Sequence, residues 1–218
     1  MLKSTSINES PTSLFFSYGS NILTLRIRLE NIRSEFLSIA RLDNHRVDFI
    51  RYSKFWGGPQ ATIVPTANCH VWGVIWRVNN DDLSILDNQE GVETKRYYIK
   101  HIEVDTPHMG KFVCRAYIQK VNPLPRGDND DIPPERWPSY AYKKVMIVGA
   151  IEHHLPEYYI ENLKKLKDNG ELGCFRMANF LKIFVTKDPC QCKLPPKPGY
   201  KVLNLRKMRL KKLKEQNK

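Results

Sequence analysis

The segment Val71–Val78, with the sequence VWGVIWRV, constrains the fold of this chain more than any other stretch. Its residues are almost all β-branched or aromatic, which is typical of a strand that is covered on both faces. Runs of similar character, separated by turn-forming residues, predict further strands at Leu14–Ser17, Phe36–Arg41, Arg46–Ile50, Gln60–Val64, Tyr97–Val104, Phe112–Val121 and Lys144–Ala150. The chain is therefore expected to be built mainly from strands.

Helices interrupt these strands singly. The segment 22–32 has apolar residues at helical spacing and arginines, Arg26 among them, elsewhere on the helical wheel, which predicts an amphipathic helix with Ser20 or Asn21 as its N-cap. A second helix is expected between Asn79 and Gly91, and a third at Pro156–Lys167. Because no β-α alternation repeats, the pattern predicts an α+β domain built round an antiparallel or mixed sheet or barrel.

The length of 218 residues fits one well-cored domain with a tail. We expect a flexible N-terminus over residues 1–13, a folded domain over 14–186 and a C-terminal tail over 187–218. The segment 122–139 carries five prolines and should be an irregular excursion. No apolar run approaches the ~18 residues of a membrane span, and the first residues lack the apolar core of a signal peptide. The expected compartment is the cytosol.

The net charge of +12 suggests a polyanionic partner. The charge is, however, distributed unevenly along the chain. Residues 187–218 hold 11 of the 35 Lys and Arg residues but 2 of the 23 acidic ones, so the basic character belongs to the tail. The tail could contact nucleic acid or an anionic membrane surface. The nearly neutral body carries no nucleic-acid motif.

The cysteines and histidines do not form a metal-binding pattern. The five cysteines are odd in number and scattered, which favours free thiols in a reducing compartment. Only Cys190 and Cys192 are grouped, and two thiolates cannot complete a tetrahedral zinc site. His153 and His154 are adjacent and lack a metalloprotease-type spacing. No metal site is predicted.

The turn Tyr18–Asn21 follows a strand and opens a helix. Backbone N–H groups that point outward there, backed by the positive end of a helix, are suited to an anion such as a carboxylate or a developing oxyanion. An ordinary helix start would look the same in sequence, so the turn alone does not decide between the two interpretations.

Glu90 is expected at the C-terminal end of the second helix, directly before Gly91. The negative end of a helix dipole disfavours an ionised carboxylate, so stability would prefer a basic residue at this position. An acid placed against the local electrostatics points to proton transfer, although a solvated glutamate would also fit.

Six motifs in order resemble those of the γ-glutamylcyclotransferase family. They are FFSYGSN at Phe15–Asn21, WGGPQAT at Trp56–Thr62, VWGVIW at Val71–Trp76, LDNQEGV at Leu86–Val92, CRAY at Cys114–Tyr117 and YKKVMIVGA at Tyr142–Ala150. The resemblance covers roughly residues 14–166, so residues 14–186 are expected to form a γ-glutamylcyclotransferase-like catalytic domain. It does not cover the basic tail.

The resemblance implies a compact, mixed, mostly antiparallel β-barrel-like sheet with a few flanking helices. It also implies conversion of γ-glutamyl amino acids or dipeptides to 5-oxoproline and a free amino acid, as part of glutathione metabolism, with no metal or organic cofactor and as a homodimer. Carried over by motif, Glu90 would be the catalytic acid and base. The substrate-binding residues would be Phe15, Phe16, Ser17, Tyr18, Gly19, Ser20, Asn21, Tyr117 and Tyr142.

Four points stay open from the sequence. Tyr140 lies close enough to Tyr142 for either to line the pocket, and the turn could hold the substrate's α-carboxylate or the oxyanion. A cyclotransferase specific for γ-glutamylamines or glutathione is the nearest alternative function. A non-catalytic binding module whose basic tail engages nucleic acid or an anionic membrane is an alternative from a different class.

Overall fold

The computed structural model describes residues 10–123 and 131–183. Five strands form a closed barrel: β1 (Thr12–Ser17), β2 (Ser34–Ser53), β3 (Gly58–Asn79), β4 (Tyr97–Thr106) and β5 (Gly110–Gln119). The order around the barrel is β1-β3-β2-β4-β5. The pairing is antiparallel except between β1 and β5, which are parallel where Phe15 lies opposite Arg115. The predicted mixed, mostly antiparallel barrel-like sheet is confirmed.

The two longest strands, β2 and β3, combine segments that the sequence predicts as four separate strands. Irregularities in their register fall between Phe36 and Ser38, Asp43 and His45, and Phe49 and Tyr52. Each bulge bends the pair and increases its twist, so one long hairpin can wrap round the barrel. The turn-forming residues between the predicted strands therefore mark bends in continuous strands.

Strand β3 contains the segment that predicts a strand covered on both faces. Successive side chains from Val74 to Trp76 are fully buried although they point to opposite faces. One face looks into the barrel, and the other lies under the helices. The prediction for this segment is confirmed.

The helices of the described residues are α1 (Thr24–Ile27), α2 (Leu83–Glu90), α3 (Tyr140–Glu152), α4 (Glu157–Lys165) and α5 (Phe175–Phe180). A 3-10 turn at Asn80–Asp82 leads into α2, and the side chain of Asn79 caps this turn by accepting a hydrogen bond from the Asp81 N–H. Helix α2 ends at Gly91, which is in the left-handed conformation with φ 72°. Both ends agree with the sequence-based prediction. Helix α4 also lies within its predicted segment.

Two predictions for secondary structure are wrong. The segment 144–150 is part of helix α3 and not a strand. The segment 22–32 does not form one helix, because the short α1 is flanked by 3-10 turns at Ser20–Ile22 and Arg28–Glu30. Neither Ser20 nor Asn21 makes a side-chain cap for it. Helix α5 was not predicted.

The predicted domain limits are only partly covered by the structure. Strand β1 begins at Thr12, within the segment 1–13 that the sequence analysis treats as a flexible N-terminus. Residues 1–9, much of the Pro-rich excursion and the basic tail 187–218 lie outside the described residues. The longest described helix, α3, has 13 residues, and no helix within the described ranges is long and apolar enough to cross a membrane.

Candidate active site

One pocket collects residues from every part of the barrel. It opens between the end of β1, the β2–β3 turn and the C-terminal end of α2, and it encloses about 110 Å³. That volume exceeds what one water molecule needs, about 10–15 Å³ on this measure, so the pocket suits a small molecule. The structure brings all the sequence-predicted site residues to its wall: Phe15, Phe16, Ser17, Tyr18, Gly19, Ser20, Asn21, Glu90, Tyr117 and Tyr142.

Glu90 is the last residue of α2, and its carboxylate is held in place by two amides. Asn21 Nδ2 donates to Glu90 Oε1 at 2.7 Å, and Gln89 Nε2 lies 3.4 Å from the same oxygen. Gln89 Nε2 also donates to Asn21 Oδ1 at 3.1 Å. The backbone carbonyl of Asn21 in turn accepts from Trp76 Nε1 at 2.9 Å. The acid is therefore fixed in orientation at the pocket wall.

The turn after β1 is shaped by Tyr142 as much as by its own sequence. The Tyr142 hydroxyl accepts hydrogen bonds from the backbone N–H groups of Ser20, at 3.4 Å, and Ala61, at 3.2 Å. The Ser20 amide is thus not bare, contrary to the expectation for the whole turn. Among the described residues, no acceptor faces the N–H groups of Gly19 and Asn21. These two remain available to an anion.

Gly19 is needed for close approach and not for a left-handed backbone. Its φ is −115°, which other residues also adopt. A Cβ atom at this position would lie 2.9 Å from the Tyr142 hydroxyl oxygen and 3.3 Å from Ala61 Cβ. The break that the sequence shows at Gly19 therefore makes room for the Tyr142 hydroxyl.

Three buried tyrosines surround the acid. Burial raises the pKa of Tyr18 and Tyr97 well above the usual value, and it also raises the pKa of Tyr142; the negative charge of Glu90 adds to the effect in all three. The Tyr18 hydroxyl donates to the Tyr117 carbonyl, and the Tyr97 hydroxyl donates to the Ala61 carbonyl at 3.1 Å. These phenols therefore stay protonated over the whole physiological range and serve as walls and hydrogen-bond donors.

Tyr117 on β5 belongs to a cluster that fixes α2 to the barrel. Its hydroxyl donates to Asp87 Oδ1 at 2.6 Å and accepts from Arg115 Nε at 3.0 Å. Arg115 Nη2 also pairs with Asp87 Oδ1. Since Asp87 lies about one turn before Glu90 on α2, this cluster positions the helix end that carries the acid.

Tyr142 and Tyr140 are clearly distinguished by their surroundings. Tyr142 is 3% exposed, lines the pocket and makes an edge contact with Trp56 at a ring distance of 4.9 Å. Tyr140 is 41% exposed and does not line the pocket. The Ser139 side chain caps α3 by accepting from the Tyr142 N–H at 3.0 Å, which fixes the rotation of the helix at this point.

Several pocket residues were not predicted from the sequence. Arg26 was assigned to the polar side of a helix, but it is 4% exposed and lines the pocket next to Trp56. Gln89 and Tyr97 were also missed. The one usable signal was the position of Gln89 beside Glu90. Within residues 10–123 and 131–183, no group of His, Cys, Asp and Glu side chains could hold a metal ion.

A small pocket in a closed barrel, lined by a carboxylate that two side-chain amides orient, is typical of enzymes that act on small molecules. A family model described as "AIG2-like family" matches residues 70–163. Gamma-glutamylcyclotransferase from Mus musculus is 39% identical over 169 residues, which are 76% of this chain and 84% of that protein. The Homo sapiens gamma-glutamylcyclotransferase is 37% identical with the same coverage.

A solved structure agrees with these sequence relatives. It is described as a gamma-glutamyl cyclotransferase, is 33% identical, and superposes with a TM-score of 0.70 over 79% of this chain and 99% of its own. The chain belongs to the γ-glutamylcyclotransferase family of enzymes.

Proposed function

We propose that this chain converts γ-glutamyl amino acids or dipeptides to 5-oxoproline and a free amino acid. The observation that carries the proposal is the pair formed by Asn21 Nδ2 and Glu90 Oε1, which joins the turn after β1 to the acid of α2 in one pocket. The relatives named gamma-glutamylcyclotransferase support it. The remaining steps follow from the chemistry that these residues can perform.

Cyclisation needs the substrate's own α-amine to attack its γ-carbonyl carbon. The amine arrives as an ammonium, so it must first give a proton to Glu90. The free amine then forms the new C–N bond, and the carbonyl π electrons move to oxygen and create an oxyanion. Because the nucleophile and the carbonyl belong to the same molecule, the pocket needs mainly to hold the folded conformer.

The backbone N–H groups of Gly19 and Asn21 can donate hydrogen bonds to the negatively charged oxyanion. We assign them to the oxyanion, since the N–H groups of a rigid turn are preorganised for charge that develops in the transition state. The neutral phenols of Tyr18, Tyr97 and Tyr142 line the same space and keep bulk water from the intermediate.

Collapse of the intermediate breaks the original C–N bond. The attacking nitrogen loses a second proton, and Glu90 passes protons to the leaving nitrogen. The two protons lost by the α-nitrogen equal the two gained by the released amine, so Glu90 ends the cycle ionised as it began. One carboxylate can therefore act as both base and acid.

The direct test is Glu90→Gln, assayed for 5-oxoproline release. The amide cannot take a proton, so kcat should fall by about 10²–10⁴-fold in a folded variant. Glu93→Gln is the matched control, because Glu93 is an exposed acid just beyond α2 and does not line the pocket. Substantial activity in folded Glu90→Gln protein would remove Glu90 from the mechanism.

Substrate choice within the family is tested with a small panel. γ-Glutamyl amino acids, γ-glutamyl-lysine and glutathione are each incubated with the enzyme, and 5-oxoproline is followed. We propose that γ-glutamyl amino acids give the highest kcat/KM. A clear preference for glutathione or for γ-glutamylamines would show that the enzyme is a cyclotransferase specific for those substrates.

The setting of the enzyme is proposed on separate grounds. The odd number and scattered positions of the five cysteines support a reducing cytosol. A homodimer rests on the resemblance to the family and is checked by light scattering. The tail's net positive charge supports an accessory contact with a polyanion, and deletion of residues 190–218 should abolish that contact and leave the cyclotransferase activity intact.

A further inference from the structure

Arg26 is a buried cation without a counter-charge in the described part of the chain. Its side chain extends from α1 into the pocket wall, and the residue is 4% exposed. The guanidinium nitrogens Nε and Nη1 are inaccessible to solvent, and no described residue offers them a hydrogen-bond acceptor. Its guanidinium carbon lies 6.0 Å from the centre of the Trp56 ring. The Trp56 ring attracts the cation, but this contact does not replace a hydrogen bond to an oxygen acceptor.

A buried charge without hydrogen bonds is strongly unfavourable, so an unpaired arginine in a pocket wall points to an anionic ligand. The guanidinium fork matches a carboxylate in a bidentate arrangement. Among the residues that the structure describes, Glu90 is the only one with an acidic side chain that lines the pocket. Oε1 of Glu90 accepts from Asn21, and no ion pair joins Glu90 to Arg26 among the described residues. Residues 10–123 and 131–183 thus supply no counter-charge for Arg26 in the pocket.

We propose that Arg26 binds a carboxylate of the substrate and thereby fixes the substrate's position relative to Glu90. This inference rests on the proposed function, because γ-glutamyl amino acids carry two carboxylates and the described part of the pocket wall offers one buried cation. Arg96 also lines the pocket, but it is exposed and its Nε donates to Thr94 Oγ1 at 3.0 Å. Because Arg96 is exposed, water can accept hydrogen bonds from its N–H groups. The buried Nε and Nη1 of Arg26 cannot be reached by water in this way.

Either of the substrate's two carboxylates could be the one that binds Arg26. One is the α-carboxylate of the γ-glutamyl group, and the other belongs to the amino acid that is released. Binding to the first would make Arg26 necessary for every γ-glutamyl compound. Binding to the second would make it a selector for leaving groups that are amino acids.

The test uses ligands that lack the α-amine and therefore cannot cyclise. Glutaryl-alanine keeps both carboxylates, glutaryl-ethylamide keeps only the one that corresponds to the α-carboxylate, and butyryl-alanine keeps only the alanine carboxylate. Butyryl-ethylamide keeps neither. Binding of each is measured by calorimetry with the full-length wild-type chain and with Arg26→Gln, Arg26→Lys, Arg28→Gln and Arg96→Gln.

Glutaryl-alanine should bind Arg26→Gln about 30-fold or more weakly than wild type, as expected when one partner of a buried, hydrogen-bonded charge pair is truncated. Arg26→Lys should recover part of the affinity. Arg28→Gln is the matched control, because Arg28 lies two residues further on, is exposed and does not line the pocket. Equal affinity in folded Arg26→Gln protein, or a loss seen only in Arg96→Gln, overturns the proposal.

The single-carboxylate ligands identify the source. If Arg26→Gln lowers the affinity for glutaryl-ethylamide and not for butyryl-alanine, Arg26 binds the α-carboxylate. If it lowers the affinity for butyryl-alanine and not for glutaryl-ethylamide, Arg26 binds the carboxylate of the released amino acid. If Arg26→Gln does not fold, wild-type protein alone decides: butyryl-ethylamide binding as tightly as glutaryl-alanine, or no binding of glutaryl-alanine, overturns the proposal.

The outcome is separable from that of the proposed function. Arg26-dependent binding without any release of 5-oxoproline from γ-glutamyl-alanine would refute the cyclotransferase reaction and leave the carboxylate site standing. Release of 5-oxoproline with unchanged ligand affinity in Arg26→Gln protein would refute the carboxylate site alone.

Discussion

The side-chain nitrogen of Asn21 lies 2.7 Å from Oε1 of Glu90, although the two residues are 69 positions apart. Asn21 orients the acid without adding charge to the pocket. Replacing Asn21 by aspartate keeps the shape and places two carboxylates side by side, which raises the pKa of the pair. Glu90 would then be protonated at a pH where it must accept a proton.

We predict that Asn21→Asp moves the acid limb of the kcat/KM profile upward by about one pH unit or more. The measurement is 5-oxoproline release between about pH 5 and pH 9. Asn88→Asp is the control, since it adds the same charge at an exposed position on α2. Superimposable profiles for Asn21→Asp and wild type would show that the contact does not tune Glu90.

Tyr142→Phe should destabilise the fold. The substitution removes the acceptor for the Ser20 and Ala61 N–H groups and leaves them buried without partners. We expect a loss of about 1–3 kcal/mol in the free energy of unfolding, measured in urea. Tyr140→Phe on the same helix is the control and should change stability by less than about 0.5 kcal/mol. Equal stability of the two variants would contradict the hydrogen-bond assignment.

Gly19→Ala should destabilise the protein through the same hydroxyl. The added Cβ would stand 2.9 Å from the Tyr142 oxygen but 4.0 Å from its Cζ carbon, so removal of the hydroxyl relieves the clash. In a double-mutant cycle with Tyr142→Phe, the combined loss should be smaller than the sum of the single losses by about 0.5–3 kcal/mol. If the two losses in the free energy of unfolding simply add, the effect of Gly19→Ala does not act through the Tyr142 hydroxyl.

Asp87→Asn should weaken both stability and catalysis. The substitution removes the negative partner of Arg115, which lies in a largely enclosed position, and loosens α2 close to Glu90. We expect a loss of about 1–3 kcal/mol in the free energy of unfolding, together with a lower kcat/KM. Asp81→Asn is the control, because its ion pair with Arg33 is exposed and should contribute less than about 1 kcal/mol. Wild-type behaviour of Asp87→Asn would show that the cluster does not position the acid.

The buried thiol of Cys114 makes stability depend on pH on the alkaline side. Burial raises its pKa to about 12, whereas the unfolded thiol ionises near pH 8.5. Above that lower value the unfolded chain releases a proton that the folded chain retains, so stability falls as the pH rises toward the folded pKa.

We expect the free energy of unfolding to decrease by about 2 kcal/mol between pH 8 and pH 10 in wild type. Urea titrations at each pH provide the measurement. The decrease should be smaller in Cys114→Ala, which has no thiol to titrate at that position. A flat wild-type profile over this range would contradict the burial of the thiol.

The position of Glu90 at a helix end was predictable from local signals. Asn79 caps the 3-10 turn that leads into α2 and Gly91 ends the helix, and both signals act within a few residues. The hydrogen bond between Asn21 and Glu90 could not be derived from such signals. Pairings across 69 or more positions depend on barrel closure and not on nearby sequence.

The errors have physical causes of the same kind. Helix α3 looked like a strand because Val145, Met146 and Ile147 are all buried, so the segment has no polar face to show a helical period. Arg26 was placed on a solvent-facing side by the spacing of its apolar neighbours. The short, 3-10-flanked turns of the structure rotate it inward instead.

The parallel contact between β1 and β5 makes the pocket depend on parts of the chain that are far apart in sequence. Phe15 lies opposite Arg115 on β5, about 100 positions away, and Tyr142 of α3 lines the same pocket. Contacts of such long sequence separation slow the folding of a domain. A ligand that fills the pocket binds only the folded chain and so stabilises the closed barrel by mass action. Binding thus reports on the completion of folding as well as on recognition.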